Sequence, residues 1–262
     1  MPKHLPHEQR SPTRQQHTPD CDDGRVNEPR LTTTHSSSCV AGSWCASVSK
    51  SSSILPDGGV DVIWTPGRQP WIAGPDTTAV ATSAPNGSVV VGVRLRPGAL
   101  TTLIGASAAT ITDQRIGLDQ VLSAADTRRV EEQLHQADQC DIPRVLADIV
   151  GQTIGHDWAP DPTISEELAR IASGRPTGPT RPSRRQLRRR FTSAMGYGPK
   201  VYERIHRINM FITVAAQSPT KSLGQIAALV GYHDQSHLAR DARLLTGQTP
   251  TQLARRHSIT AE

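Results

Sequence analysis

The sequence predicts an α+β protein, with a small antiparallel β-barrel followed by an all-α domain. Two observations support this prediction. Short β-favouring runs separated by turn signals occupy the amino-terminal half, whereas apolar residues at helical spacing occupy the carboxy-terminal half. A chain of 262 residues is long enough for two domains with separate cores.

Composition divides the chain into four parts. Residues 1–30 are polar, Pro-rich and nearly free of aliphatic side chains, which predicts a disordered tail. Residues 31–117 are the predicted β-rich domain, 118–160 a helical linker or dimerisation segment, and 161–262 a helical domain. The start of the chain has no apolar signal segment, and no run of 18 apolar residues could cross a membrane. We therefore expect a cytoplasmic protein with no membrane partner.

Turn signals set the predicted strands of the β-rich domain. The strands are Val60–Trp64, Trp71–Ala73, Thr77–Ser83 and Ser88–Leu95. Asn86-Gly87 lies between the last two of them, and Asn-Gly between β-favouring runs predicts a hairpin.

Polar and aromatic residues in this domain are candidates for a ligand site. Arg94 and Asp61 could pair inside the barrel or hold an anionic ligand, and we expect pairing because buried charges need partners. Trp64 and Trp71 are expected to pack in the core, since large aromatic side chains dominate small cores. Four residues form the candidate ligand set: Asp61, Trp64, Trp71 and Arg94. Other polar residues in the domain are Asp57 and Asp76, which are expected to cap turns, and Arg96.

Two or three helices are predicted between the two halves of the chain. They cover Leu118–Leu122, Val130–Leu134 and Ile142–Thr153, with Asp126 and Asp141 as caps. The last of them has an apolar stripe, which predicts either a dimer surface or packing against the barrel. That stripe consists of Val145, Leu146, Ile149 and Val150.

Two capped helices joined by a glycine turn are predicted near the carboxy terminus. Ser222 and Gln225 have the spacing of a capping box, and Gly231 stands where the first helix should stop. Asp234 can cap the next helix, whose stripe of Leu238, Ala242 and Leu245 should be buried. The face left open has side chains that can contact base edges or phosphates. It consists of Gln235, Ser236, His237, Ala239 and Arg240.

A second candidate helix pair lies upstream. Ser183 and Gln186 again have capping-box spacing, and Leu187, Phe191 and Ala194 form the predicted apolar stripe. Arg185, Arg188 and Arg189 lie opposite or beside that stripe, where they can meet a DNA groove. From Pro199 onward, apolar residues at helical spacing predict a long connecting helix.

The run S-L-G-Q-I-A-A-L-V-G-Y-H-D-Q-S-H-L-A-R, followed by G-Q-T-P, resembles the second helix-turn-helix of AraC-type (AraC/XylS) transcriptional regulators. The resemblance covers about Leu187 to Arg256 and implies a bacterial, sequence-specific transcription factor that binds double-stranded DNA. It makes Arg185, Arg188 and Arg189 the base-reading residues of the first motif, and Arg207 matches an arginine usual in the connecting helix.

One departure from the family lies before Ser183. Residues 174–182 contain three prolines and two glycines, which oppose a helix where the family places a positioning helix. The first motif is therefore expected to be degenerate and poorly supported. The alternative is that a helix over 164–173 takes this place and that the Pro-Gly stretch is an inserted loop.

Charge follows the same division. Residues 163–262 contain 16 Lys and Arg against 6 Asp and Glu, a balance of +10, while the rest of the chain has −5. Clustered cations neutralise phosphates and release counterions, so the basic half is the expected DNA-binding half.

The segments I-L-P-D-G-G-V-D-V-I-W, W-I-A-G-P-D-T and V-V-V-G-V-R-L-R-P-G-A-L resemble the cupin-like amino-terminal domain of some AraC-type regulators. This resemblance covers about Ile54 to Ile104. It implies that the domain binds a small-molecule effector or mediates homodimerisation, and RNA polymerase is a further partner of such regulators.

Two other functions stay open. One is an effector-independent DNA-binding protein with a vestigial sensor domain. The other is an enzyme, either a cupin-type catalyst or an alkyl-transfer repair protein, which the sequence disfavours. Its β-rich region has only His35, and none of the cysteines has zinc-ligand spacing; these are Cys21, Cys39, Cys45 and Cys140. We therefore expect no enzyme activity, no cofactor and no metal.

Overall fold

The computed structural model describes residues 37–48, 53–81, 85, 87–175 and 183–258. The predicted tail at residues 1–30 lies outside the described residues. In the described part, an antiparallel sheet region is followed by a helical region, as the α+β prediction required.

The amino-terminal domain is built on a five-stranded antiparallel sheet in the order β1-β6-β3-β4-β7, beside a two-stranded ribbon of β2 and β5. The antiparallel strands were predicted correctly, but the five described strands run from edge β1 to edge β7, so this sheet does not itself close into the predicted barrel. The strands are β1 Val40–Ser47, β2 Ser53–Ile54, β3 Asp61–Trp64, β4 Trp71–Ala73, β5 Val80–Ala81, β6 Val89–Leu95 and β7 Arg115–Gly117.

Two strand predictions were wrong in detail. The predicted hairpin does not form, because β6 pairs with β1 and β3 while β5 pairs with β2. Gly87 has the positive φ of +80° expected at a turn, but Asn86 lies outside the described residues. The eight-residue β1 was not predicted, because its glycine and serines weaken the β-favouring signal. Long-range pairing with β6 forms this strand.

The two faces of the sheet pack differently. Val62, Trp64, Val91 and Val93 face a core shared with the helices of this domain. On the other face, Trp44 joins a smaller cluster that contains Ile63 and Val90, with Trp71 packed against it. Alternation along each strand therefore places neighbouring residues in different cores.

Three helices and two 3-10 turns complete the described part of this domain. Helix α1 is Ala99–Ile104, α2 is Ala124–Gln136 and α3 is Ile142–Ile154, with 3-10 turns at Ala108–Ile111 and Leu118–Gln120. Two cap predictions need correction. Ser123 caps α2 by accepting from the Asp126 N–H, and Asp141 precedes α3 without a capping hydrogen bond from its side chain.

The apolar stripe of α3 belongs to the domain core. Leu146, Ile149 and Val150 are buried there, and Val145 packs against them. The packing alternative is therefore confirmed, and the three buried residues are not available for a dimer surface.

Six described helices form the carboxy-terminal domain. They are α4 Pro162–Ala172, α5 Arg184–Met195, α6 Pro199–Gln217, α7 Leu223–Leu229, α8 Gln235–Thr246 and α9 Pro250–Ser258. The long helix α6 contributes to two cores. One contains Ile205, Ile208 and Phe211 with residues of α7, α8 and α9, and the other joins α4 to α5 and packs against Tyr202. None of the described helices combines the length and apolar character needed to cross a membrane.

Candidate nucleic-acid interface

Helix α8 has the predicted cap and stripe. The Asp234 carboxylate accepts from the His237 N–H at 2.7 Å, which satisfies a free donor of the first turn. Leu238, Ala242 and Leu245 are at most 3% exposed. The helix ends at Gly247, whose φ of +69° is readily adopted by glycine. One face of α8 is thus fixed inward and the other is left to solvent.

The helix before it also matches the prediction. Ser222 and Gln225 form both hydrogen bonds of a capping box, and Gly231 has a φ of +83° in the turn. Arg207 of α6 holds this turn, because its guanidinium lies 5.2 Å from the centre of the Tyr232 ring and donates to the Gly231 carbonyl at 3.4 Å. Five residues separate α7 from α8, which makes a compact helix-turn-helix.

The predicted reading residues of α8 differ in exposure. Gln235, Ser236 and Arg240 are exposed, whereas Ala239 is half-buried. His237 is also half-buried, with its ring edge against Tyr232 and its Nε2 3.9 Å from the Asp241 carboxylate. The first three residues are therefore free to meet DNA, while the His237 ring is partly engaged with the protein.

One cation on α8 was missed by the sequence analysis. Arg243 is exposed and follows Arg240 by three residues, so the two lie on neighbouring positions of one helix face. That spacing was the signal that could have identified it. The exposed face of α8 is therefore more cationic than predicted.

Helix α5 begins with the predicted capping box between Ser183 and Gln186. Its buried stripe is Leu187, Phe191 and Met195, whereas the predicted Ala194 is only half-buried. Met195 continues the stripe because positions separated by four residues share a helix face.

The arginines of α5 are of two kinds. Arg185, Arg188 and Arg189 are exposed, and no described carboxylate lies within ion-pairing distance of them. Arg190, in contrast, donates to the Asp161 carboxylate at 2.7 Å. The three predicted reading arginines therefore remain available to phosphates or bases, and so does Arg184, the exposed first residue of α5.

Support for α5 is stronger than expected. Ile164 and Ile171 of α4 lie in one core with Phe191 and Met195 of α5. The expectation of a poorly supported first motif was therefore wrong, and the alternative of a helix over this segment is confirmed. The connection from α4 to α5 spans eleven residues, some of which lie outside the described residues.

Ion pairs attach two helical units to α6: the first unit is α4 with α5, and the second is α7 with α8. Arg170 of α4 donates to Glu167 at 2.8 Å and to Glu203 of α6 at 2.7 Å. In the other unit, Arg204 of α6 donates to the buried carboxylate of Asp241 at 2.7 Å. Glu203 and Arg204 are adjacent in sequence, so one point of α6 anchors both α4 and α8.

Electrostatics around Glu203 favour its charged form. Burial by itself raises the pKa of this carboxyl, but hydrogen bonds from Arg170 and Lys200 outweigh it and hold the pKa below the ordinary glutamate value. The Glu203 carboxylate, which anchors α4, is therefore ionised at neutral pH.

The candidate ligand residues do not converge on one site. Arg94 and Asp61 form a two-point pair with distances of 2.8 and 2.7 Å, which confirms the expected pairing. Trp71 lies on their side of the sheet and Trp64 on the other, in the helix-covered core. Trp64 is buried as expected, and Trp71 is half-buried. The residues predicted to bind an effector are thus used in packing and pairing.

Two other polar residues of this domain have structural partners. Asp57 caps its turn as expected by accepting from the Gly59 N–H at 2.8 Å. Asp76 instead pairs with Arg115, at 2.8 and 2.6 Å, so its expected role as a turn cap was wrong. Arg96 donates to the Val40 carbonyl at 3.2 Å.

These helices define a domain with two exposed, arginine-bearing helices on a common framework. Residues 180–256 match the family model of a helix-turn-helix domain. The carboxy-terminal domain is therefore a helix-turn-helix domain, as the resemblance to AraC-type regulators implied. Residues 37–117 match a domain of unknown function (DUF6597). No curated protein matches the chain.

Solved structures similar to this chain include ToxT of Vibrio cholerae O395. It is 10% identical, with 84% of this chain and 98% of that chain covered and a TM-score of 0.44. A point variant of apo ToxT from Vibrio cholerae strain SCE256 is also 10% identical, with coverage of 81% and 96% and a TM-score of 0.41.

Proposed function

We propose that the chain binds double-stranded DNA sequence-specifically, with α5 and α8 as its reading helices. The observation that carries this proposal is the presence of exposed arginines on two capped helices that share the framework of α6. Arg188 on α5 and Arg240 on α8 are exposed, while the opposite faces of both helices are buried. Arginine is well suited to read guanine in the major groove because its fork can donate two hydrogen bonds.

Selection from a pool of randomised duplexes, followed by affinity measurements, tests this function. Arg240→Ala and Arg188→Ala should each weaken binding to the selected site by about 1–3 kcal/mol, with little change on random DNA. Arg129→Ala is the matched control, because Arg129 is an exposed arginine of the amino-terminal domain. Equal losses on selected and random DNA would assign the two arginines to phosphate contacts. Selection of no duplex at low ionic strength would overturn the proposal.

Control of DNA binding is assigned to the amino-terminal domain. A small-molecule effector is one route, as the resemblance implies. The alternative is an effector-independent DNA-binding protein, and the pairing of Arg94 with Asp61 favours it, because these groups already satisfy each other. Calorimetric titration of the protein with DNA, with and without candidate anionic metabolites, distinguishes the two alternatives, since a controlling effector must change the affinity for DNA.

We further propose that the chain acts in the bacterial cytoplasm and that it is not an enzyme. A homodimer would use a surface other than the buried stripe of α3. Contact with RNA polymerase would use an exposed surface of the helical domain, where Met210 and Leu229 are 41% and 63% exposed. Sedimentation and binding assays with purified polymerase test these two partners.

A further inference from the structure

The amino-terminal domain contacts the carboxyl end of α5. The Thr112 hydroxyl donates to the Gly196 carbonyl at 2.9 Å, immediately after the last turn of that helix. Pro75 packs so closely on Gly196 that a Cβ atom at this position would overlap its ring. One reading helix is therefore held at its end by two different loops of the amino-terminal domain.

The same domain contacts the carboxyl end of α8. The Ala79 N–H donates to the Leu245 carbonyl at 2.7 Å, and the Ala79 side chain packs against the core that contains Leu245. Carbonyls at a helix end lack partners within the helix, so a donor from another domain is a specific attachment. Both reading helices thus end on the same neighbouring domain.

A third contact holds the middle of the framework. The Asn209 amide of α6 donates to the Pro56 carbonyl at 2.8 Å, and Leu55 is buried in the helical core. Arg94 fixes this loop to the sheet by pairing with Asp57 at 2.6 Å and with Asp61 at 2.7 Å. The loop therefore cannot shift on α6 without disturbing the sheet.

We propose that the amino-terminal domain is a brace that sets the separation and orientation of α5 and α8, and thereby the spacing between the two DNA sub-sites they read. This inference rests on the proposed function. The contacts lie at the carboxyl ends of both helices, so the exposed residues near their amino ends remain free for DNA. A change of one base pair moves a sub-site by about 3.4 Å and rotates it by about 35°, so a rigid pair of helices must discriminate spacing.

The experiment measures affinity for duplexes in which the two selected sub-sites are moved apart or together by single base pairs. Full-length protein should lose about tenfold in affinity for one inserted base pair, similar to the loss from a mismatched base pair. Thr112→Val removes the hydroxyl donor at α5, and Ala79→Pro removes the N–H donor at α8. Each variant should reduce the penalty to about threefold or less while keeping the sequence of both sub-sites.

Matched controls separate the brace from local damage. Thr110→Val removes an exposed hydroxyl that donates only to Ser107 in its own turn, and Thr78→Pro places proline one residue before Ala79. Both controls should retain the full spacing penalty. Melting temperature reports folding, and Thr112→Val keeps the test decisive if Ala79→Pro does not fold.

The outcomes separate the inference from the proposed function. A spacing penalty in Thr112→Val equal to that of the unmodified protein would overturn the brace while DNA binding stands. Selection of a single sub-site would also overturn it, because no spacing would then be set. If the unmodified protein selects no duplex, the proposed function fails and the brace with it.

Discussion

The two helix-turn-helix units have reading helices of the same design, but they differ in how the preceding helix is connected. Helices α5 and α8 both have 12 residues, a side-chain cap at the start and a glycine in the left-handed region at the end. Five residues join α7 to α8, whereas eleven separate α4 from α5. A reading helix can therefore be supported by an apolar core even when the preceding helix is not joined by a short turn.

The two units also differ in which charge α6 contributes to the ion pair that anchors them. Helix α6 provides the carboxylate Glu203 to the first unit and the guanidinium Arg204 to the second. Arg170 has a second partner in Glu167, while Asp241 is paired with one arginine and is more deeply buried. The second unit should therefore depend more strongly on its single pair than the first unit does.

The largest expected effect is on the free energy of unfolding, and it tests whether each unit has its own apolar core. Phe191→Ala should lower the free energy of unfolding by about 3–5 kcal/mol and Leu238→Ala by about 2–5 kcal/mol, because both side chains are fully buried. Urea denaturation measures both. A loss under about 1 kcal/mol for Phe191→Ala would mean that α4 does not pack on α5 in solution.

The next effect compares the anchoring pairs. Asp241→Ala should cost about 3 kcal/mol, at the lower end for a broken buried pair because Arg204 is about one-third exposed. Glu203→Gln should cost under about 1 kcal/mol, since Arg170 retains Glu167. Asp148→Ala, which removes an exposed carboxylate 3.4 Å from Arg144, is the control. Equal losses of unfolding free energy in Asp241→Ala and Glu203→Gln would contradict the expectation that the second unit depends more strongly on its ion pair.

Two helix-ending glycines give a matched comparison of smaller size. Gly247→Ala should cost about 1 kcal/mol, because alanine disfavours the left-handed region and the new methyl group meets only open space. Gly196→Ala adds overlap with Pro75, so we expect about 1 kcal/mol more. Thermal unfolding of both variants checks the difference. Identical losses would show that the amino-terminal domain does not sit against α5.

The smallest effect is a pH dependence of the first unit. The pKa of Glu203 is lowered in the folded protein, so its stabilising contribution is complete above the ordinary glutamate pKa and disappears as pH falls toward the folded value. The stability difference between the unmodified protein and Glu203→Gln should therefore shrink below about pH 4.3. Urea denaturation at pH 7 and at acid pH measures this change. A difference that grows on acidification would mean that the pKa is raised instead.

Local signals were sufficient for the reading helices. Ser183 with Gln186, and Asp234 with the stripe that begins at Leu238, specify start and buried face within one or two turns. The exposed arginines followed from the same periodicity. The missed cation Arg243 lies on the same face as Arg240, at a spacing that the sequence already contained.

Long-range contacts account for most of what the sequence analysis missed. Strand β1 forms through pairing with β6, which lies more than forty residues away, so its own weak composition concealed it. Ile164 and Ile171 of α4 support α5 from across an eleven-residue connection. The length of that connection did not reveal where α4 would pack.

By itself, the sequence determined the α+β order and, for α5 and α8, the caps and the cationic faces, because these depend on residues within a few positions of one another. Only the tertiary structure decided that the α3 stripe is internal, and that Ala79 and Thr112 meet the ends of α8 and α5. Such contacts join residues far apart in the chain, and packing geometry selects them from many partners of similar chemistry.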